Sequence, residues 1–349
     1  MIFIIRASHT NEFELQNYHN LPNPFRITVV SSRHPLTPVK LPCIKLFSPT
    51  DFPRLFLRKQ LLNRLAGGEQ WLLGLERMLR QYRDSHPQEK IILHTAETYT
   101  PYTHQAVKMK KNKLVDQLVC TCWETIPHNN EKFRRLRTWK NEAYAHVDVF
   151  HTPTNRAKDA LIKEGVNPLK IKVIAYGVDL SRFKPKRGLP LGVSRKPVII
   201  TLARRVPEKG LRLFDNLRNN FQGRADFRWI SNQPYSAIPS ILRQADIFLH
   251  LSHPTETWEE QYGMVLIEAM ASGLPIIATS SGAVPEVLGK AGILVRPDDS
   301  EDLNKRIKVL LENPKKRSEL IKKSVARARS HYDSKKVAVR LRSLYNGLA

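Results

Sequence analysis

The C-terminal half of the sequence alternates between unbroken apolar segments and amphipathic stretches, and this alternation constrains the fold most. The apolar segments PVIITLA (197–203), DIFLHLS (246–252) and PIIATS (275–280) each lead through a turn into a helical pattern. A strand that is apolar at every position has both faces covered, as in a parallel sheet flanked by helices. The predicted fold class is therefore α/β, with a doubly wound parallel sheet.

The N-terminal half shows the same alternation in a less regular form. Its predicted strands are MIFIIRAS, FRITVVSS, IILHTA (91–96), LVCTCW (118–123), DVFHTP (148–153) and IKVIAYG (171–177). Its predicted helices lie near 55–84, 103–111, 130–145 and 154–164. The C-terminal half adds DFRWI (226–230) and GILVRP (292–297) as strands, and helices from about 211, at 237–244, from about 263, at 285–288 and from 301.

A length of 349 residues predicts two domains, and the Pro-, Gly- and base-rich segment 184–197 is typical of a linker between them. We place the first domain at 1–190 and the second at 191–330. The segment from about 331 to 349 is an amphipathic helix. Its predicted buried side is Val337, Val339, Leu341, Leu344 and Tyr345.

The cysteines and the apolar segments favour a cytoplasmic protein. Cys43, Cys120 and Cys122 are too few for a disulfide framework and lack the spacing of a zinc site. Cys120 and Cys122 are expected to be buried thiols on one face of a strand. No apolar run is long enough to span a bilayer, and MIFII is too short for the core of a signal peptide. A peripheral position on the inner face of the cytoplasmic membrane stays open.

The net charge of +25 is the largest global anomaly of the chain. Lys and Arg are concentrated between 108 and 140, with Phe133 and Trp139 among them, and again between 315 and 342. Such patterns suit nucleic acid, an anionic membrane surface or phosphorylated substrates, and also ordinary solvated helix faces. No nucleic-acid-binding motif occurs, so nucleic acid is the disfavoured partner.

The stretch EEQYGMVLIEAM carries acidic residues and a glycine at a predicted helix start in this basic chain. The first amides of a helix lack intrahelical partners, and Gly263 lets a phosphate or a sugar approach the backbone. Glu268, in the second turn, could accept hydrogen bonds from ribose hydroxyls, and Glu260 from sugar hydroxyls. The alternative is that the acids only compensate the helix dipole. Glu259 is expected to be a surface charge.

Two further strand-to-helix turns carry candidate residues. In LARRVPEKG, Arg204 and Lys209 follow a strand and precede a helix, where a doubly wound fold binds phosphate. In SSGAVPE, the amides around Gly282 could serve a leaving diphosphate. The alternatives are solvated cations and an ordinary turn, and Ser252 is expected to cap local backbone. No Asp-x-Asp occurs, so no metal is expected.

Several of these segments resemble the signature of the retaining family-4 glycosyltransferases of GT-B fold. The similarity covers EQYGMVLIEAMASGLPIIATSSGAVPEVLGKAGILVRPDD, LARRVPEKG with Ala203 where glycine is usual, and KIKVIAYGVDLSRFKP with Tyr176 where asparagine is usual. The resemblance implies two Rossmann-like domains with a cleft between them. The N-terminal domain would bind the acceptor and the C-terminal domain the nucleotide sugar. The tail helix is similar to the family's helix that packs back onto the N-terminal domain.

The resemblance also implies roles for individual residues. Arg204 and Lys209 would hold the donor diphosphate, Glu260 the hydroxyls of the transferred sugar, and Glu268 the nucleotide ribose. The backbone of Gly263, Met264 and Val265 would contact sugar and phosphate. Trp123 stands where many members carry His, so Trp123 or Glu124 is expected to shape the pocket. His94, placed at a strand end facing the cleft, is a further candidate, with a purely structural role as the alternative.

The activity implied is transfer of a hexose from a UDP- or GDP-sugar to a glycan or lipid-linked acceptor, with retention, in cell-envelope or polysaccharide biosynthesis. The leaving diphosphate would itself accept the proton, so no dedicated base and no cofactor are expected. Two alternatives stay open: a basic nucleic-acid-binding protein on a degenerate GT-B scaffold, and a GT-B sugar-nucleotide epimerase.

Overall fold

The computed structural model describes residues 1–21, 25–52, 68–185 and 195–348. The chain divides into two compact units. Unit 1 comprises Met1–Ile174 and Ala338–Ala349, and unit 2 comprises Ala175–Val337. Each unit has its own parallel sheet.

Unit 1 contains a seven-stranded parallel sheet, in the order β3-β2-β1-β4-β5-β6-β7, within the residues described. The strands are β1 Ile2–Ala7, β2 Ile27–Ser32, β3 Cys43–Leu46, β4 Ile92–Ala96, β5 Gln117–Thr121, β6 Val149–Thr152 and β7 Ile171–Val173. The helices are α1 Glu12–Leu15, α2 Leu75–Ser85, α3 Pro101–Lys111, α4 Arg134–His146 and α5 Asn155–Lys163.

The central strands of unit 1 are buried on both faces, as the apolar runs predict. Every residue of β1 and of β4 is buried. Strand β3 was missed by the sequence analysis because it is short and only partly buried, and therefore lacks an apolar run. Residues 53–67 of the helix predicted near 55–84 lie outside the described part of the chain. The described helix of that region is α2.

Unit 2 contains a five-stranded parallel sheet, in the order β12-β11-β10-β8-β9, within the residues described. The strands are β8 Val198–Leu202, β9 Asp226–Ile230, β10 Ile247–His250, β11 Ile276–Thr279 and β12 Ile293–Val295. The helices are α6 Leu211–Asn220, α7 Ile238–Gln244, α8 Met264–Ala271, α9 Val284–Leu288, α10 Ser300–Glu312 and α11 Pro314–His331, followed by α12 Ser334–Asn346. Helix α11 was not predicted, because its composition is dominated by bases rather than by an apolar stripe.

The strand order of unit 2 reverses beside β8. From β8 the chain moves to β9 on one side, and then to β10 on the other. In open α/β sheets, ligands bind beyond the carboxyl ends of the strands at such a switch point. The loops that follow β8 and β10 are therefore the segments in which to look for a site.

The boundary between the units falls earlier than the predicted position near residue 190. The segment after Ile174 is built into unit 2, because the Tyr262 hydroxyl donates to the carbonyl of Tyr176 and the Val178 amide donates to the carbonyl of Tyr332 at 2.7 Å. A Cβ at Gly177 would lie 2.6 Å from that same Tyr332 oxygen. Close backbone packing thus fixes this segment in unit 2.

The C-terminal helix α12 is divided between the units at Val337 and Ala338. Four of its five predicted core residues are buried. Val339 is 56% exposed, so that part of the prediction is wrong. The reason is helical geometry: Val337, Leu341 and Leu344 follow one another at four- and three-residue intervals, whereas Val339 lies two positions along and faces the opposite side.

The thiols of Cys120 and Cys122 are buried and free, as predicted. Burial raises the pKa of the Cys122 thiol. Within the described residues, none of the helices has the length and apolar character needed to cross a membrane.

Candidate active site

The loop after β8 is shaped by a short turn and a glycine. Pro207–Lys209 forms a single 3-10 turn, and Gly210 follows it with φ of +80° before α6 begins. A Cβ at Gly210 would lie 2.2 Å from the carbonyl oxygen of Leu251, so only glycine permits this approach to the loop after β10. The approach brings Lys209 to the acidic stretch that precedes α8.

Glu260 is the centre of a buried cluster of donors at this position. Its Oε2 atom accepts from Nζ of Lys209 at 2.6 Å, from Oγ of Ser252 at 2.8 Å and from Nε2 of His250 at 3.0 Å. The Glu260 residue is only 8% exposed. Burial alone would raise its pKa, but the hydrogen bond and charge of His250, together with Lys209, hold the pKa of the Glu260 carboxyl far below its ordinary value. Glu260 is therefore an ionised carboxylate.

The backbone of Glu260 is held by the turn after β11. The Ala283 amide donates to the Glu260 carbonyl at 2.8 Å, and the Glu260 amide donates to Oγ of Ser281 at 3.3 Å. Gly282 has φ of +53°, and a Cβ there would lie 2.1 Å from the Glu260 carbonyl oxygen. The turn containing Gly282 thus positions Glu260. The expected contact of its amides with a diphosphate stays a prediction.

Helix α8 begins at Met264, with Gly263 as its N-cap, in agreement with the helix predicted from about residue 263. Gly263 has φ of +77°, and no side chain caps the helix start at Met264 and Val265. Glu268, one turn further on, is buried. Burial raises the pKa of Glu268 to about 8, against the lowering effects of a hydrogen bond with Tyr235 and of the charge of Arg182. With a pKa of about 8, the Glu268 carboxyl keeps its proton at neutral pH and carries little charge with which to compensate the helix dipole.

Arg204 and Lys209 differ in their surroundings. Arg204 is exposed and makes no ion pair among the described residues. The Lys209 ammonium, in contrast, pairs with Glu260 and also lies 4.6 Å from the ring centroid of Trp258. The two cations thus lie on one loop, one already paired and the other available to an anion.

Two expectations about residues close to Glu260 are wrong. Glu259 is buried rather than a surface charge. Ser252 does more than cap local backbone, since its hydroxyl binds the Glu260 carboxylate. His250 was also missed. The signal that could have revealed both residues is their spacing of two at the end of an apolar strand, which places two polar side chains on the same side.

In unit 1, Trp123 and Glu124 follow β5 as predicted. The amide of Trp123 donates to Oε1 of Glu97 at 2.8 Å. Oε1 of Glu124 accepts from the amides of Thr125 and Ile126, and Oε2 from the side chains of Asn129 and Asn130. Both oxygens of Glu124 are therefore engaged in shaping their own loop.

Glu97 was missed by the sequence analysis. It follows β4 with φ of +58°, a conformation that is strained for a residue with a side chain. Burial raises its pKa to about 8, partly offset by the hydrogen bond from Trp123. Only its position directly after a strand could have drawn attention to it.

His94 is not at a strand end facing a cleft, and that expectation is wrong. It is the central residue of β4 and is completely buried. Nε2 of His94 lies 2.7 Å from Oγ1 of Thr121, and Nδ1 lies 2.5 Å from the hydroxyl of Tyr345 in α12. Burial lowers the pKa of His94 well below its ordinary value. These contacts correspond to the structural alternative.

A group of potential metal ligands occurs elsewhere in unit 1, at His128, Glu131 and Glu164 in the part of the chain that the structure describes. The Lys140 ammonium lies 2.7 Å from Oε1 of Glu164 and 3.0 Å from Oε1 of Glu131. A lysine therefore already supplies the positive charge between these carboxylates.

Comparison with protein families gives two adjacent matches. Residues 22–182 match the model described as Glycosyltransferase Family 4, and residues 211–327 match Glycosyl transferases group 1. The second match contains Glu260, Glu268 and the turn of Gly282, and begins directly after Lys209 and Gly210. The two matches follow one another along the chain and are separated by residues 183–210.

Individual relatives are more distant. Sulfoquinovosyl transferase SQD2 of Arabidopsis thaliana is 27% identical over 219 residues, which is 53% of this chain and 42% of that protein. The spore coat protein SA of Bacillus subtilis is 36% identical over 111 residues, or 31% of this chain and 28% of that protein. N,N'-diacetylbacillosaminyl-diphospho-undecaprenol alpha-1,3-N-acetylgalactosaminyltransferase of Campylobacter jejuni is 24% identical over 236 residues, or 58% and 61%. The matches span less than two thirds of each relative.

Solved structures show the fold over the whole chain. HepE of Anabaena in complex with UDP has a TM-score of 0.71 at 18% identity, covering 99% of both chains. Sucrose-phosphate synthase of Thermosynechococcus elongatus has a TM-score of 0.72 at 16% identity, covering 99% of this chain and 98% of that one. With its two parallel-sheet units, the chain has the GT-B fold.

Proposed function

We propose that this chain, which belongs to the family-4 glycosyltransferases of GT-B fold, transfers a hexose from a nucleoside-diphosphate sugar to a glycan or lipid-linked acceptor with retention of configuration. The observation that carries the proposal is the meeting of Lys209 and Glu260 at the switch point of the unit 2 sheet. A cation for phosphate and an ionised carboxylate for hydroxyls are what a sugar diphosphate requires from a protein.

The donor half-reaction follows from these side chains. In the proposed transfer, the bond between the sugar C1 and the diphosphate oxygen breaks, and the acceptor oxygen bonds to C1 on the same face. The proton of the acceptor hydroxyl goes to the diphosphate. Negative charge develops on the departing diphosphate, and Arg204, Lys209 and the uncapped amides at the start of α8 can stabilise it electrostatically. No other base is required.

The two glutamates take hydroxyl groups in this proposal. Oε2 of Glu260 is occupied by three donors, while Oε1 makes no hydrogen bond with any described residue. That oxygen can accept from a hydroxyl of the transferred sugar. Glu268, beside Tyr235, would bind the ribose of the nucleotide. Gly263, Met264 and Val265 would line the path between ribose and sugar.

The choice of nucleotide and acceptor is guided by the relatives. UDP is bound in the HepE structure, and UDP-glucose in another structure of that protein, so UDP-sugars are the first donors to test, with GDP-sugars next. The Campylobacter relative is named for a lipid-linked diphosphate acceptor. A polyprenyl-diphosphate sugar is therefore a reasonable acceptor class, which would place the enzyme in envelope or polysaccharide biosynthesis.

A lipid-linked acceptor would bring the enzyme to the inner face of the cytoplasmic membrane. In unit 1, Phe133 is 64% exposed and lies among the exposed cations Lys132, Arg134 and Arg135. An exposed aromatic ring with neighbouring cations suits an anionic lipid surface, where each cation contributes about 1 kcal/mol. Sedimentation with phosphatidylglycerol vesicles at low and high salt tests this part, and failure to bind at low salt would reject it.

The transfer itself is tested with the Glu260→Gln variant. A thermal-shift screen of UDP-, GDP- and ADP-sugars first identifies the donor, because a ligand of the folded state raises its melting temperature. The variant should then lower turnover of that donor by about 100-fold or more, since a neutral amide replaces the carboxylate. Its affinity for the free nucleoside diphosphate should not fall, because Lys209 no longer has to leave a charged partner in order to bind the diphosphate. Equal loss of both properties would contradict the assignment of Glu260 to the sugar.

A further inference from the structure

We infer that His250 is a positioning residue, which together with Ser252 holds Glu260 in its working orientation when the donor diphosphate engages Lys209. The inference rests on the proposed function, because it concerns the carboxylate assigned there to the transferred sugar. His250 is the last residue of β10 and is buried. Its Nε2 atom lies 3.0 Å from Oε2 of Glu260 and 3.1 Å from Oγ of Ser252.

The donor diphosphate and the Glu260 carboxylate compete for the ammonium of Lys209. Of the three hydrogen bonds to Oε2 of Glu260, the one from the Lys209 ammonium is the shortest. A bound diphosphate would draw on the same ammonium, because it carries more negative charge than one carboxylate. Binding of the diphosphate therefore weakens the hydrogen bond between Lys209 and Glu260 at the step in which Glu260 has to keep its orientation.

Two hydrogen bonds to Oε2 of Glu260 remain when Lys209 binds the diphosphate, and they come from His250 and Ser252. The imidazole of His250 and the hydroxyl of Ser252 are both buried, and neither belongs to the phosphate loop. Each donates to Oε2, which requires the hydrogen of His250 to be on Nε2. Two donors on a single oxygen fix the rotation of the carboxylate group. Oε1 consequently stays directed away from them and is left to the substrate.

His250 and Ser252 are themselves held in place by the neighbouring strand β11. Both are anchored by Thr279 at the end of β11, whose hydroxyl lies 2.5 Å from the Ser252 carbonyl and 3.3 Å from the His250 carbonyl. Thr279 is buried as well. The orientation of Glu260 is thus determined by two neighbouring strands rather than by a surface loop. Supports of this kind are what hold a reacting group within its productive geometry.

The experiment compares His250→Phe and His250→Gln with the wild-type protein. Donor hydrolysis is measured as release of UDP from UDP-glucose, or from whichever sugar nucleotide the screen identifies, with water as the acceptor. Phenylalanine removes the N–H group that donates a hydrogen bond to Glu260. The kcat should then fall by about 10- to 100-fold, as for a misplaced reacting group. Glutamine keeps an N–H close to the position of Nε2, and should retain activity within about fivefold. KM and the affinity for free UDP should change little in both variants.

A double-mutant cycle separates positioning from general damage to the fold. If His250 acts through Glu260, then adding His250→Phe to Glu260→Gln should lower kcat by less than about threefold further. Additive losses would overturn the inference, as would full activity of His250→Phe. His253→Phe serves as the matched control, since His253 is an exposed histidine three residues further along.

The outcomes also distinguish this inference from the proposed function. A wild-type protein that binds and turns over no sugar nucleotide contradicts the proposed function, and this inference with it. A wild-type protein that is active, combined with a silent His250→Phe variant, contradicts the inference alone. Weak UDP binding by both His250 variants would show a disturbed fold instead of a lost orientation, and would also count against it.

Discussion

The ammonium of Lys209 lies 2.6 Å from Oε2 of Glu260, so the cation assigned to the donor phosphate is already neutralised by the carboxylate assigned to the donor sugar. The two residues come from loops after different strands, β8 and β10. A buried pair of this kind is costly to break from one side only. The pair thus compensates both charges, and a diphosphate that binds Lys209 has to replace the carboxylate as its partner.

The first prediction concerns Lys209. Lys209→Ala should weaken UDP binding by about 10- to 100-fold, because a hydrogen bond to a charged group contributes about 1.5–3 kcal/mol. Isothermal titration calorimetry measures this directly. Arg205→Ala is the matched control, since Arg205 is an exposed cation on the same loop. A Lys209→Ala variant that binds UDP as well as Arg205→Ala does would remove Lys209 from the diphosphate site.

The second prediction concerns Glu268 and the stability of unit 2. Its pKa of about 8 in the folded chain exceeds the ordinary value of 4.5, so the folded state retains a proton that the unfolded state has lost between these values. The contribution of this group to the free energy of unfolding should therefore decrease as the pH rises from about 4.5 to 8. Glu268→Gln should remove the effect and raise the melting temperature at pH 8 by several degrees, at roughly 2–4 °C per kcal/mol.

The control for Glu268 is the same measurement at pH 4.5. There the wild-type carboxyl is protonated in the folded chain, and the two proteins should melt at similar temperatures. UDP binding provides a second readout, because a ribose-binding glutamate should lose affinity on conversion to the amide. A stabilised variant with wild-type UDP affinity would leave Glu268 buried but not part of the nucleotide site.

The third prediction concerns acid sensitivity in unit 1. Burial, with the charge of Arg6, lowers the pKa of His151 to about 4 against the effect of its hydrogen bond to the Ile174 carbonyl. His151 therefore binds a proton near pH 6.5 in the unfolded state, but only near pH 4 in the folded state. The contribution of His151 to the free energy of unfolding should be fully present above about pH 6.5. It should fall by about 2–3 kcal/mol as the pH falls to 4.

The His151→Gln variant tests this origin of the acid sensitivity. Glutamine keeps a donor for Ile174 and does not titrate, so its unfolding free energy should depend less on pH between 6.5 and 4. Urea unfolding at several pH values gives the comparison. His253→Gln, which changes an exposed histidine, should leave the pH dependence as it is in the wild type. An unchanged slope in His151→Gln would refute the prediction.

The fourth prediction concerns Gly282. Gly282→Ala places a methyl group 2.1 Å from the carbonyl oxygen of Glu260, in addition to the strain of a positive φ. We expect a loss of stability of about 2–4 kcal/mol and a displaced Glu260, with activity falling more than UDP binding. Gly223→Ala is the matched control. Gly223 also has a positive φ, at +80°, but nothing lies within 4 Å of its added Cβ. That variant should cost about 1 kcal/mol.

Equal effects of the two glycine substitutions would mean that the backbone conformation alone matters at both positions. In that case, the proposed role of the Gly282 turn in placing Glu260 would be wrong. Thermal unfolding and donor hydrolysis of both variants therefore decide between conformational strain and steric displacement of the carboxylate.

Much of the fold follows from local sequence, and the failures have identifiable reasons. Strand β1, for example, was predictable because its burial on both faces leaves a continuous apolar run over residues 2–5. Strand β3 and helix α11 were not, since one is partly exposed and the other is rich in Lys and Arg. The predicted boundary followed the composition of segment 184–197, whereas the observed one depends on backbone contacts of Tyr176 and Val178 with residues far along the chain.

The sequence by itself determined the α/β class, the helix start at Gly263 and the polar turns that could meet a phosphate, because each depends on local periodicity and local backbone conformation. Only the tertiary structure decided which of those turns meet. The packing of Gly210 against Leu251 brings Lys209 to Glu260, and the adjacency of β10 and β11 adds His250, Ser252 and the support of Thr279. It also removed His94 from the candidate site, because burial depends on the whole fold and a single position in a sequence does not reveal it.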